Sequence, residues 1–353
     1  MTVPAAGAGP LWLQWQRFVA LVAHRMRLRN PWNYKAPLLI AFTYLTMALG
    51  GVAWQQALAG VLASLMTIAG IAGVAYFLND LTDIRQDLAA GKPNGVAAMS
   101  VPQRVLTLLA FLAVALLPWW WVLPFTALSG WLLAAEFALF VLYSVPPFRL
   151  KERGLLGVVT DASYAHALPA VLAMLTFAAM ARQPDPHGLA LLWATGAWQL
   201  CLGMRNIVLH QLLDHHNDRL GGNRTWAVDI GPERLSRILG GVLVPLEGAS
   251  FVVFAAVLWP QMPWLLPAYA AYAVLATWRL RWLRQPRPRS LRETLFVYAD
   301  NFYADWLPLF ILALLLVKVP GCWPLAVLHV LVLRSGLRQT WQDLRGRRAA
   351  RAA

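Results

Sequence analysis

Two short segments of this chain place carboxylates at the spacing of a helix face. The first aspartate segment, residues 79–87, reads NDLTDIRQD, and the second aspartate segment, residues 214–218, reads DHHND. Side chains three or four positions apart lie on one side of a helix, so each segment can present several oxygens together. Mg²⁺ prefers oxygen ligands and is typically shared between one or two carboxylates and substrate phosphates. The sequence therefore predicts a magnesium and diphosphate site whose ligands are Asn79, Asp80, Asp83, Asp87, Asp214 and Asp218.

The elements that position these segments are predicted to be membrane helices. The chain is 59% hydrophobic and 13% charged, with a mean hydropathy of +0.54, which is far from the composition of a soluble globular protein. A spanning helix needs roughly 20 mostly apolar residues, and the chain offers about ten such stretches. We predict an all-α, polytopic membrane bundle of about nine or ten transmembrane helices. The stretches are 36–54, 56–77, 103–122, 124–145, 154–180, 189–212, 236–258, 264–283, 302–318 and 321–335.

Basic residues predict the orientation of this bundle. With the N-terminus in the cytoplasm, lysines and arginines concentrate at the cytoplasmic ends of the helices, whereas Arg182 and Lys318 lie on the opposite side. Both aspartate segments then face the cytoplasm from the inner cell membrane. The formal net charge of +14 follows from this topology and from attraction to anionic lipid, so it does not indicate nucleic-acid binding.

The chain is predicted to form one large domain with two flanking segments. Residues 1–34 form an N-terminal interfacial segment, because apolar side chains within 11–29 share one helical face. Residues 35–336 form the transmembrane domain, since no linker rich in Pro, Gly or Ser divides them. Residues 337–353 form a basic cytoplasmic tail that faces lipid.

Four motifs together resemble the UbiA superfamily of intramembrane prenyltransferases. The first aspartate segment matches the family pattern NDxxDxxxD, and the second resembles the DxxxD core of the family's second motif. Residues 143–151 (YSVPPFRLK) and 222–225 (GNRT) resemble two further family segments. The resemblance implies a helical bundle around a central cavity, capped by the two aspartate-bearing loops. It also implies Mg²⁺-dependent transfer of a polyprenyl group, with catalytic roles for Asp80, Asp83, Asp87, Asp214 and Asp218.

Two departures from the family pattern leave several substrates open. Members that use prenyl diphosphates commonly carry Asn-Arg-Pro after the first motif, where the arginine contacts phosphate, whereas residues 92–96 here read KPNGV. His210 stands where many members have an additional aspartate, and we assign it to the substrate site. The commonest family reaction transfers a prenyl group from a prenyl diphosphate to an aromatic or other small nucleophile. The alternatives are transfer of phosphoribose from phosphoribosyl diphosphate to a polyprenyl phosphate, and cyclisation of the prenyl cation.

Basic side chains near the aspartate segments are predicted to bind the phosphates. A metal-bridged diphosphate is a good leaving group because cations neutralise the charge that develops on its oxygens. Arg205 belongs to this set because an arginine near a membrane helix is costly without a partner. The predicted phosphate contacts are Lys92, Arg149, Lys151, Arg205 and Arg224.

Other polar residues are predicted to border the cavity. The aromatic face of Tyr143 could stabilise allylic cation character, and Asp161 lies where an acceptor would enter. Glu136 and Glu247 lie deeper, where a lone carboxylate is costly and protonation would reduce that cost. A cation transporter is the hypothesis from another class, but it favours carboxylates near the bilayer midplane, whereas these aspartates lie at helix ends. The expected partners are a prenyl diphosphate or polyprenyl phosphate lipid, a second small substrate and the bilayer.

Overall fold

The regular elements of the described chain are all helices. The computed structural model describes Pro10 and residues 35–183, 188–282 and 288–333. The predicted interfacial segment, Pro10 apart, and the predicted basic tail lie outside the described residues. The helices are α1 (Ala36–Gly50), α2 (Trp54–Thr82), α3 (Ile84–Ala89), α4 (Val101–Trp121), α5 (Ala127–Ser144), α6 (Leu155–Met180), α7 (Gly188–Gly221), α8 (Trp226–Ile230), α9 (Pro232–Val257), α10 (Leu265–Trp282), α11 (Leu291–Lys318) and α12 (Trp323–Val332), with short 3₁₀ turns at Leu150–Glu152 and Pro320–Cys322.

Six of the described helices are long and apolar enough to cross a membrane, so the predicted count of nine or ten is not confirmed. The six are α2, α4, α5, α6, α9 and α11. α1 is shorter than the predicted stretch 36–54, because the chain turns at Gly51 with φ 66°, a conformation that glycine adopts without strain. α7 has 34 residues but mixes apolar residues with charged and amide side chains.

Local capping explains where several helices begin. The Thr126 hydroxyl accepts a hydrogen bond from the Ser129 amide at 3.1 Å at the start of α5. The Ser290 hydroxyl accepts from the Glu293 amide at 3.2 Å at the start of α11. α11 therefore begins at Leu291, eleven positions before the predicted start at residue 302. The polar residues in this added part are helical as well.

The apolar core surrounds α1, which is buried along nearly its whole length. α1 packs against α2, α6 and α11. Phe42 of α1 contacts Trp198 of α7 and Phe254 of α9 edge-on, with ring centroids 6.0 and 6.3 Å apart. This packing fixes α7 against α1 and α9, and the second aspartate segment lies near the C-terminal end of the same α7.

α6 departs from regular helix geometry where it borders the site. Residues Ser163–Ala167 form a π-helical turn, a feature that is frequent at functional sites. The turn carries Tyr164 and His166, both of which line the cavity described below. α6 approaches α7 closely at Gly203, since a Cβ there would lie 2.7 Å from the Cα of Ala162. The glycine at position 203 thus permits α6 and α7 to pack closely enough to form one wall of the cavity.

Candidate active site

The first aspartate segment joins α2 to α3, and the helix is interrupted within it. α2 ends at Thr82, and Asp83 adopts φ −106° and ψ 8° before α3 starts at Ile84. Residues 79–87 therefore do not form one continuous helix that would set all their side-chain oxygens on a single face. The carboxylate of Asp83, the residue at the interruption, is held by two cations from the loop after α5. Asp80, one turn before, is buried with 3% of its surface exposed.

Lys151 and Arg149 hold the carboxylate of Asp83. Lys151 Nζ donates to Asp83 Oδ1 at 2.6 Å and to Asn79 Oδ1 at 3.1 Å. Arg149 Nη2 donates to the same Asp83 oxygen at 3.2 Å, and its Nε donates to Glu152 at 2.8 Å. Burial lowers the pKa of the Lys151 ammonium, and the attraction of Asp83 opposes that shift. Two of the predicted phosphate contacts thus lie beside the predicted metal ligands.

Asn94 ties the loop after α3 to the first aspartate segment. Its Nδ2 donates to the backbone oxygen of Asp80 at 2.7 Å and to Asp87 Oδ2 at 2.8 Å. Its Oδ1 accepts from the amides of Val96 and Ala97, both at 3.0 Å. Asn94 was not among the predicted site residues, because the sequence alone does not show that its loop returns to the first aspartate segment. An asparagine just after Pro, in a loop that follows the motif, is the available signal for a turn of this kind.

Lys92 brings the two aspartate segments together. Its Nζ forms an ion pair with Asp214 Oδ2 at 3.0 Å, although the two residues are 122 positions apart. His210, one turn earlier on α7, has Nδ1 3.7 Å from the same oxygen. Asp218 is buried and accepts a hydrogen bond from the Thr225 hydroxyl at 3.2 Å. The loop between α7 and α8 therefore closes over the second aspartate segment.

A cavity of about 330 Å³ extends from the first aspartate segment into the bundle. It is lined by residues of α1, α2, α5, α6 and α7, including Asn79, Tyr143, Asp161, His166, Asn206 and His210. Tyr164 donates its hydroxyl to Asp161 Oδ1 at 2.6 Å. The Tyr164 ring also contacts Phe140 and Tyr143 edge-on, with centroids 4.5 and 5.3 Å apart. The predicted cavity residues Tyr143, Asp161 and His210 are thus brought together.

Two predicted phosphate contacts, Arg205 and Arg224, lie beside carboxylates that are not part of either aspartate segment. Arg205 is fully buried, donates from Nε to Glu247 Oε2 at 2.6 Å and from Nη2 to Asp300 Oδ1 at 2.7 Å. The buried charge of Arg205, which suggested a phosphate partner, is instead neutralised by these two carboxylates of α9 and α11. Glu247 is therefore not the lone carboxylate that we expected. Arg224 is 77% exposed, with Nε 3.7 Å from Asp229.

The oxygen donors of the two aspartate segments suit Mg²⁺. Within the described residues, no group of three or more His, Cys, Asp or Glu side chains lies close enough to form a metal cage. Mg²⁺ does not require such a cage, since it is commonly held by one or two carboxylates plus substrate phosphates. Asn79 of the first segment and His210, one turn before Asp214, both line the cavity, so both segments lie at the cavity's edge. The residues present therefore fit a magnesium site completed by a substrate.

The fold and the candidate site define an all-helical integral membrane protein with a largely apolar cavity beside paired aspartate segments. A family model described as the UbiA prenyltransferase family matches residues 37–302. The chain belongs to the UbiA prenyltransferase family. The predicted membership is thereby confirmed.

Solved structures of a UbiA homologue from Archaeoglobus fulgidus share this fold. One, bound to GPP and Mg²⁺, has a TM-score of 0.54 and 20% identity, covering 82% of this chain and 99% of that chain. Another, bound to DMAPP and Mg²⁺, has a TM-score of 0.54 and 20% identity, covering 83% of this chain and 99% of that chain. A curated relative, lycopene elongase/hydratase from Haloferax volcanii, is 38% identical over 102 residues, which are 29% of this chain and 30% of that relative.

Proposed function

We propose that this protein is a Mg²⁺-dependent intramembrane transferase that moves a polyprenyl group from a prenyl diphosphate to an acceptor. The observation that carries the proposal is that Lys92 joins the two aspartate segments. Its Nζ contacts Asp214 at 3.0 Å, and its backbone amide donates to the backbone oxygen of Asp87 at 2.8 Å. Family membership and the related structures bound to GPP or DMAPP with Mg²⁺ support the same reaction. Oxygen-rich aspartate pairs beside an apolar cavity are what a lipid diphosphate requires.

The aspartate segments would hold the metal. When bound, Mg²⁺ neutralises the charge that develops on the diphosphate oxygens as the bond to carbon breaks. Lys92, Arg149 and Lys151 bind phosphate oxygens from the neighbouring loops, and charge-assisted hydrogen bonds of this kind are the strong ones. The proposed metal ligands are Asn79, Asp80, Asp83, Asp87, Asp214 and Asp218.

The cavity would hold the prenyl chain and place the acceptor next to the first carbon of that chain. The carbon–oxygen bond breaks with its electron pair passing to the diphosphate, and the acceptor's nucleophile forms the new bond and releases a proton. Ile68, Ile71 and Phe140 supply apolar lining that excludes water from the cation. The ring of Tyr143 would stabilise positive charge through its face, while Asp161 and His210 border the acceptor.

We also propose the full topology. α1, α7 and α10 would cross the bilayer together with the six longer helices, which gives about nine crossings, with α12 as a possible tenth. The burial of Arg205 against Glu247 and Asp300 supports this proposal for α7, because it removes an unpaired charge from the membrane interior. The basic side chains Lys92, Arg149 and Lys151 would place the aspartate segments at the cytoplasmic face of the inner cell membrane.

Pyrophosphate release by the purified protein tests the choice of donor. The panel compares GPP and DMAPP with phosphoribosyl diphosphate plus polyprenyl phosphate, each with and without Mg²⁺. We expect release from a prenyl diphosphate only, and product mass then separates transfer from cyclisation. Asp83→Ala is the inactive control. Release from phosphoribosyl diphosphate alone would replace the prenyl-donor proposal with the lipid-linked sugar reaction.

A further inference from the structure

Three charged side chains form a buried triad inside the bundle, each on a different helix. The buried triad consists of Arg205 of α7, Glu247 of α9 and Asp300 of α11. Arg205 is fully buried, and it meets Glu247 with two bonds, from Nε to Oε2 at 2.6 Å and from Nη2 to Oε1 at 3.1 Å. Its Nη2 also donates to Asp300 Oδ1 at 2.7 Å. The proposed reaction gives these groups no role, so their presence needs another explanation.

Stability is a weak explanation for a buried triad of charges. Removing charges from water is costly, and replacing a buried ion pair or triad with well-packed apolar side chains is often neutral or stabilising. What the group does supply is geometry, since a guanidinium that meets a carboxylate with two parallel bonds fixes both distance and orientation. Arg205 therefore fixes the rotation of α7 about its own axis and its height against α9 and α11.

The two helices that supply the carboxylates depart from regular helix geometry beside the buried triad. α11 contains two π-helical turns, Phe296–Asp300 and Phe302–Trp306, and the first of them ends with the carboxylate that contacts α7. In α9, the π-helical turn Leu239–Leu243 ends four positions before Glu247. Such turns are rare and are frequent at functional sites. Because a π turn adds one residue to an α-helix, it changes which side chains face the neighbouring helix.

α7 carries the second aspartate segment without interruption. It is one α-helix from Gly188 to Gly221, and Asp214 follows Arg205 by nine positions, which is about 14 Å along the axis. The end of α7 lies against the first aspartate segment, since a Cβ added at Gly221 would be 3.7 Å from the Cβ of Ala90, the residue after α3. A rotation or shift of α7 at Arg205 would therefore move this end, and a misplacement of about 1 Å can cost about 10²-fold in rate.

We propose that the buried triad is a positioning device for the second aspartate segment, because it fixes α7 so that Asp214 and Asp218 face the first aspartate segment. This inference rests on the proposed transferase function for its catalytic consequence, whereas the position of α7 can be measured without any ligand. The members of the buried triad are positioning residues in this account, since none of the three lines the cavity.

A disulfide between α7 and the end of α3 measures the position of α7 directly. Cysteines replace Ala90 and Gly221 in the full-length protein in lipid nanodiscs, after Cys201 and Cys322 have been changed to serine. The Cβ separation of 3.7 Å suits a disulfide, which needs about 3.5–4.5 Å. The initial rate of crosslinking with copper phenanthroline is measured without substrate or Mg²⁺. Maleimide labelling of each single-cysteine protein controls for thiol reactivity.

The native triad is compared with an apolar triad, in which Arg205→Met is combined with Glu247→Met and Asp300→Leu. We expect crosslinking to be about tenfold slower in the apolar variant, while its midpoint of thermal unfolding is equal to or above that of the wild type. The second variant is Asp300→Asn, which leaves Glu247 to neutralise Arg205. We expect it to fold and to crosslink about threefold more slowly than the wild type.

A wild-type crosslinking rate in a folded apolar variant would overturn the inference. If the apolar variant did not fold, a wild-type rate in Asp300→Asn would overturn it instead. Mg²⁺-dependent binding of radiolabelled GPP is measured on the reduced proteins, and its Kd should rise about tenfold in the apolar variant. Slower crosslinking with an unchanged Kd would also overturn the positioning role. No GPP binding by the wild type would instead contradict the proposed function, whereas the measured position of α7 would stand.

Discussion

At the scale of single residues, the site depends on side chains that hold the aspartates in place. Asp83 contacts both Lys151 and Arg149, and Asp214 contacts Lys92, so each cation sits beside a proposed metal ligand. A substrate diphosphate entering here would meet carboxylates and ammonium groups at the same end of the cavity. Cations that already lie beside the oxygens on which negative charge develops stabilise the transition state, and they need not move during the reaction.

Replacing Lys151 with methionine should lower turnover of GPP by about 10²-fold, since one positioned donor is typically worth 10²–10³ in rate. The uncharged side chain leaves Asp83 and Asn79 without their shared donor. Steady-state pyrophosphate release measures the effect. Arg153→Met is the matched control, because Arg153 is an exposed cation of the same loop whose Nε donates to the Phe148 backbone. Equal activity of the two variants would remove Lys151 from the site.

Replacing Asn94 tests the loop that is hydrogen-bonded to both Asp80 and Asp87 of the first aspartate segment. Asn94→Ala should raise the KM for GPP several-fold, because Asp87 loses its amide donor and two backbone amides lose their acceptor. Asn94→Asp restores the acceptor but places a carboxylate against Asp87, so it should bind GPP no better than Asn94→Ala. A wild-type KM in Asn94→Asp would show that the bond to Asp87 does not matter.

At the scale of helices, the cavity wall depends on the close approach of α6 and α7. An added Cβ at Gly203 would lie 2.7 Å from Ala162 Cα and 3.0 Å from His166 Cδ2, and the first of these is backbone that cannot rotate away. α6 carries Asp161 and His166, whereas α7 carries Asn206 and His210. Separating these helices would therefore change the cavity as well as the packing.

Gly203→Ala should destabilise the protein by about 1–3 kcal/mol through overpacking, with a lower midpoint of thermal unfolding in detergent and reduced turnover of GPP. Gly248→Ala on α9 is the matched control, because nothing lies within 4 Å of an added Cβ there and alanine favours helix more than glycine. The account of the wall fails if the two variants unfold at the same temperature.

Sequence patterns predicted the helices and the two aspartate segments better than the contacts between them. Composition and motif spacing were sufficient for the membrane class and for the family, since both are local or cumulative signals. The ion pair of Asp83 was not predictable in this way, because its partner Lys151 lies 68 positions away. Likewise, Arg205 meets Glu247 and Asp300 only through folding, so a single sequence could not distinguish their pairing from a phosphate contact.

At the scale of the whole molecule, the proposed orientation follows from the distribution of charge. The loops that hold the aspartate segments are basic, whereas Lys318 lies at the opposite end of α11 and donates to Gln261. In the proposed orientation, which follows the positive-inside rule, the candidate site would face the cytoplasm. A substrate with a diphosphate would enter from that side, while its lipid chain would enter from the bilayer.

Cysteine labelling in intact cells should confirm this orientation. Cys201 and Cys322, which are free thiols in the structure, are first replaced by serine. A cysteine at Arg153 should react with a membrane-impermeant maleimide only after permeabilisation, whereas a cysteine at Lys318 should react in intact cells. Both positions are exposed, so a difference reports sidedness rather than burial. The reverse pattern would invert the topology.

The central claim is that the two aspartate segments act as one site, and a double-variant comparison tests it most directly. We would measure Mg²⁺-dependent pyrophosphate release from GPP by the wild type, Asp80→Asn, Asp214→Asn and the double variant. Groups that act as a unit are strongly non-additive, so each single change should cost about 10³-fold and the double variant should be little worse than either. Losses that multiply, or a single variant with the wild-type rate, would contradict one shared site.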